Sequence, residues 1–177
     1  MDASEPISAS RELIAESRYL ALATAGPWIA TVNYAVGRCG ELLFCSPPEA
    51  RHSTDVEARR EVAVAIHRAV DLTTISGVQI VGRCRPAGPE DLDDKRSQFY
   101  ESAFPDPLVR QQWEVPLTGF GPVKPRMVYA ITIDECWLFD TRNAQQGTGA
   151  RRHAVDAKAL VLALSREGKK DHGHAGS

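Results

Sequence analysis

The stretch Phe44-Cys45-Ser46-Pro47-Pro48-Glu49-Ala50-Arg51-His52-Ser53 decides how the rest of the chain is read. It follows two strand-like runs and reads as a strand end, a helix start and two adjacent basic side chains. Ser46 has the hydroxyl of an N-cap, Pro47 suits the first helical position, and Glu49 stands where a capping-box carboxylate belongs. The spacing predicts a helix over about 47–60. A helix N-terminus presents unpaired N–H groups and a partial positive charge. Arg51 adds a rigid donor fork and His52 a titratable donor. Basic side chains there oppose the helix dipole, and a bound dianion such as a phosphate resolves the conflict. Read alone, the same two residues also fit an exposed, solvated first turn.

Upstream, residues 8–17 read as a short helix with Leu13 and Ile14 as its apolar spot. Residues 19–24 form a strand, Gly26-Pro27 a turn, 28–36 a second strand, 37–40 a hairpin loop and 41–45 a third strand. Strands joined by short turns predict an antiparallel meander. Downstream, 62–66 is a fourth strand and 73–86 a long fifth, with Gly82 inside it marking a bulge or a close approach by another group. Gly88-Pro89-Glu90-Asp91 opens a helix to about 102, and Phe104-Pro105-Asp106-Pro107 breaks it before a turn or two of helix over 108–113. Residues 126–133 and 136–139 read as a closing hairpin around Asp134-Glu135, 155–164 as a late amphipathic helix, and 165–177 as a disordered tail. The expected fold is mainly β (α+β): a six-stranded antiparallel barrel of Greek-key type with two to four peripheral helices. The expected organisation is a barrel domain over 1–140, an extension over 141–164 and the tail.

Composition narrows the function classes. The net charge of −2 and the lack of a basic-aromatic stripe argue against nucleic acid. No apolar run approaches the ~20 residues of a membrane span. The acidic start Met1-Asp2-Ala3-Ser4-Glu5 lacks the order of a signal peptide, which implies a cytoplasmic location. Cys39, Cys45, Cys84 and Cys136 form no CxxC pair and no zinc spacing with a histidine, so they read as free thiols. His153, His172 and His174 lie in polar sequence without a supporting shell, and no metal site is assigned. No acid–base pair or activated nucleophile stands out, so no catalytic residue is assigned.

Four pieces then carry a resemblance over about 13–139: Trp28 to Tyr34, Phe44 to His52, Ser76-Gly77-Val78-Gln79-Ile80-Val81-Gly82, and Phe99-Tyr100 leading to Phe104-Pro105 and Trp113-Glu114. Together the chain resembles the split β-barrel flavoproteins, the pyridoxamine 5′-phosphate oxidase-like family, in a small uncharacterised bacterial branch. The resemblance implies a homodimer with flavin mononucleotide (FMN) at its interface and a redox reaction on a small molecule. It places the phosphate on Ser46, Arg51 and His52, with Cys45 adjoining, and the flavin ring along Trp28, Ile29, Ala30 and Thr31. The oxidase has lysine where His52 stands. Its ring-approaching glutamine falls on Gly77, and Gln79 lies two residues on, on the same strand face. The oxidase's C-terminal Arg and His substrate pattern is not evident, so pyridoxine phosphate is not the expected substrate; the substrate is expected near Trp113 and the Phe104-Pro105 loop. Relatives of the barrel hold the deazaflavin F420 or haem instead. His67, at a strand end, is the axial candidate for haem. A third reading is a non-catalytic flavin- or ligand-binding dimer.

Overall fold

A computed structural model describes residues 4–69, 75–140 and 151–167. Helix α1 (Ser4–Glu16) buries Pro6, Ser10, Leu13 and Ile14, a helical stripe at spacings of four, three and one. Strand β1 (Tyr19–Thr24) follows and turns Leu20, Leu22 and Thr24 inward. It pairs antiparallel with β2 (Trp28–Asn33) from Tyr19↔Asn33 to Thr24↔Trp28. The run expected as one strand over 28–36 is broken at Tyr34, whose hydroxyl donates to the Ile14 carbonyl at 2.6 Å; β3 (Ala35–Val36) is a separate strand. The 37–40 loop, with Gly40 at φ +80°, returns the chain into β4 (Leu42–Ser46).

Helix α2 (Arg51–Ala58) comes next, then β5 (Glu61–Ala69) and β6 (Ile75–Pro86). Helices α3 (Leu92–Ala103) and α4 (Pro107–Trp113) precede β7 (Met127–Ile131), β8 (Glu135–Asp140), β9 (Arg151–Val155) and α5 (Ala157–Glu167). The strand order is β2-β1-β5-β6-β7-β4-β3, with β8 also beside β6 and β9 beyond it. Every pairing in this sheet is antiparallel. The described residues thus hold nine strands and five α-helices, where six strands and two to four helices were expected. The break at Tyr34 and β9 add two strands to the seven strand runs read from the sequence.

β7 and β8 do not form the expected closing hairpin. Both are antiparallel partners of β6: residues 76–81 pair with β8 and residues 84–86 with β7. The connecting Thr132 and Asp134 amides bond to the Arg83 and Val81 carbonyls of β6, so the chain runs on past β6 instead of folding back. Gly82 sits at the changeover, where a Cβ would overlap the Thr132 carbonyl oxygen. This is the close approach expected of that glycine. β7 then leads to β4 and β3, while β8 leads to β9.

Both faces of β4 and β7 are covered, which is why β7 is buried at all five positions. Phe44 and Tyr129 point into the main core with Leu20, Leu22, Ile66 and Ile80. Leu43 and Val128 point the other way, into a second cluster with Phe99 and Tyr100 of α3. Ile14 of α1 and Leu160 and Leu164 of α5 close the main core. The described residues leave the opposite face of β1, β2, β5, β6 and β8 open. Across it run the rows Ile29–Ala23–Ala63–Val81 and Thr31–Ala21–Ala65–Gln79–Trp137. No helix among the described residues is long and apolar enough to cross a membrane. Of the tail expected over 165–177, residues 165–167 belong to α5, and the rest, with His172 and His174, lies outside the described residues.

Candidate functional site

The site is built where β4 ends. Ser46 stays in the sheet, paired with Met127 of β7. It therefore does not cap a helix. Pro47–Ala50 make a turn closed by the Ala50 amide on the Pro47 carbonyl at 3.1 Å. The expected helix over 47–60 contracts to Arg51–Ala58, with Ala50 as its N-cap residue and no side-chain cap. That start places Arg51 and His52 at the first two helical positions, where backbone N–H groups lack intrahelical acceptors.

The two basic side chains diverge. The Arg51 guanidinium lies over the Trp28 ring, 4.7 Å from its centroid, and donates to the Gly26 carbonyl at 3.1 Å. Such stacking fixes the fork while leaving donors over. His52 turns inward: its Nε2 and the Ser46 hydroxyl are hydrogen-bonded at 2.7 Å, and its ring leans on Phe44. Burial holds the imidazole below its ordinary pKa, while the charge of Asp55 pulls the other way. Asp55 itself accepts from the Thr24 hydroxyl at 2.6 Å, tying α2 to β1. The result is an oriented set of donors, Arg51, His52 and Ser46, at an uncapped helix start. It is suited to an anion.

Of the sequence-predicted residues, the structure pairs Ser46 with His52 and Arg51 with Trp28. The remaining candidates are spread over other surfaces. Ile29 and Thr31 lie exposed on the open sheet face, and Ala30 packs against the main core. The Cys45 side chain belongs to the second cluster beneath α3, facing away from His52; burial pushes its thiol up to about 12. Gln79 is exposed on the open face and accepts from Arg152 at 2.8 Å. It lies three strand intervals from Thr31, roughly 14 Å. His67 is also exposed, at the far end of β5. Trp113 is 64% exposed and stacks on Phe104, which stacks on Tyr100. Gly26, Thr24 and Asp55 were not anticipated. The spacing of Asp55 three residues after His52, on the same helix face, was the available signal.

No family model and no curated protein matches the sequence. Solved structures do match in shape. A haem-binding protein from Mycobacterium smegmatis superposes with a TM-score of 0.64 at 15% identity, over 92% of this chain and 61% of its own. An FAD-binding protein from Mesorhizobium loti gives 0.56 at 16% identity, over 73% and 90%. A protein from Clostridium acetobutylicum related to general stress protein 26, of the pyridoxinephosphate oxidase family, gives 0.54 at 13% identity, over 88% and 98%. These likenesses show that the chain has the split-barrel fold that the pyridoxamine phosphate oxidase-like proteins share with flavin- and haem-binding neighbours.

Proposed function

We propose that this protein is a cytoplasmic, homodimeric flavoprotein that binds FMN and carries out a redox reaction on a small molecule. The observation that carries the reading is the Ser46–Arg51–His52 donor set at the uncapped start of α2, with Trp28 beneath the arginine. These residues fit a phosphate monoester: two cationic or titratable donors, one hydroxyl and the Arg51 and His52 amides lie within one short segment. Bound flavin would supply the electron chemistry. The chain's own part is to hold the phosphate, support the ring along β2 and keep one face dry. The Trp113–Phe104 stack offers an aromatic shelf for the substrate.

The dimer is supported by the open sheet face. Ile29 is 69% exposed there and Tyr19 63%, beside the small residues Ala21, Ala23, Ala63 and Ala65. A flat face of this kind admits a close second wall. A haem reading draws on the neighbour that binds haem and on exposed His67. The visible spectrum of the purified protein separates FMN from F420 and from haem.

The decisive test compares FMN with riboflavin by flavin fluorescence quenching. FMN should bind more tightly, and the Arg51→Ala/His52→Ala variant should lose about 100-fold in FMN affinity, as expected for removing roughly 3 kcal/mol of charge-assisted hydrogen bonding. Riboflavin binding as well as FMN, or an unaffected double variant, overturns the assignment.

A further inference from the structure

At the opposite end of β4 from Ser46, an open chamber of about 640 Å³ lies between α5, the 37–40 loop and α3. That volume falls within the roughly 300–1,000 Å³ of small-molecule sites. Its two sides differ in chemistry. Ala130, Ile133, Ala157, Val161 and Leu162 make one side apolar. The other side holds Glu41 and Lys95, each 9% exposed, with Lys95 Nζ 2.5 Å from Glu41 Oε1 and 3.9 Å from Asp91. Asp91 in turn pairs with Arg85 at 2.7 Å.

A buried ion pair adds little stability over apolar packing of the same shape. Its presence on the wall of a chamber is better explained as the polar end of a site. Glu41 is also clamped in place: a Cβ on Gly37 would come within 2.7 Å of its carboxyl carbon, and its buried Oε2 has no partner among the described residues. The roof is set with equal closeness. Gly40 adopts φ +80°, and a Cβ there would come within 2.5 Å of the Val161 carbonyl of α5. The approach brings α5 down over the loop and leaves Leu162, 53% exposed, at the mouth.

The charges decide what fits. The charged side chains on the lining are three basic, Arg85, Lys95 and Lys158, and one acidic, Glu41, while Asp91 and Glu90 act on Arg85 from outside the lining. Arg85 spends one N–H on the Pro86 carbonyl and another on Asp91, and its fork carries further donors. We propose that this chamber binds a small monoanion with an apolar body, a medium-chain or aromatic carboxylate. Its carboxylate lies toward Arg85 and Lys158, and its body lies along Val161, Leu162 and Ile133. The site shares no residue with the β4–α2 turn, and the length of β4 separates the two by roughly 13 Å.

Cys39 lines the chamber and is exposed, whereas burial pushes the Cys84 and Cys136 thiols up to about 12. Its alkylation rate is therefore a local reporter. Octanoate should slow iodoacetamide modification of Cys39, identified by peptide mass, in a saturable manner and by about tenfold at saturation, with octylamine and saturating FMN giving no protection. Lys158→Glu and Leu162→Glu, both at exposed positions of α5, should each weaken octanoate protection about tenfold. Absence of protection by octanoate, equal protection by octylamine, or undiminished protection in both variants overturns the proposal. FMN titration of the same samples reports separately on the other site.

Discussion

His52 meets two opposing demands. Its burial favours the neutral ring, and the structure supplies that ring with Ser46 as a partner. A phosphate dianion favours the imidazolium. Binding should therefore take up a proton, and FMN affinity should rise as pH falls from about 8.5 toward 6.5, until the phosphate begins to lose its second charge near pH 6. His52→Lys should tighten binding and flatten this profile; a wild-type affinity that is level over the range contradicts the role. The sign for folding is the reverse. A histidine whose folded pKa is depressed contributes its stability above the unfolded value near 6.5, and that contribution is lost as pH falls through it. At this scale the sequence announced the right side chains and the wrong local geometry. Ser46 has the chemistry of a cap, but its ladder pairing with Met127 holds it extended, and its hydroxyl goes to His52 instead. Cross-strand pairing with a residue 81 positions away is not written in the local pattern.

At the scale of elements, β6 is the longest strand and the most instructive. Alternation along 75–86 identifies a strand, and Gly82 within it signals crowding. Gly82→Ala should cost about 3 kcal/mol, read as a lowered urea midpoint, because the backbone of β6 must move off the Thr132 carbonyl. Gly26→Ala should cost far less, since a Cβ there meets only the Asp55 side-chain carboxylate at 3.3 Å and no backbone atom. Equal midpoints for the two variants would contradict this account. What alternation cannot specify is the partner. β7 and β8 each look like half of a hairpin, yet both are spent on β6. β9 was missed because Arg151-Arg152-His153 are polar and its pairing with β8 reaches back from beyond an intervening segment. The late helix was legible because α5 keeps Leu160 and Leu164 four residues apart on its buried face.

For the whole molecule, the open face of β1, β2, β5, β6 and β8 dominates the unassigned surface. If it is the dimer seam, Ile29→Glu should raise the dimer dissociation constant about 100-fold and shift light-scattering mass toward one chain, with FMN affinity falling alongside. A wild-type protein that elutes with the mass of one chain contradicts the seam. The alternation of β1 and β5 showed in the sequence which residues face inward. It could not show that the alanines between them face neither core nor helix.

The changeover at Gly82 also sets how the barrel can come apart. One ribbon leans on the first half of β6 and another on the second half, so a single stave is held in common. Peeling off β8 and β9 bares that stave, and unzipping β7 strips the cover from β4 and the turn that follows it. Loss of either flank leaves its own half of that stave without a neighbour on that edge.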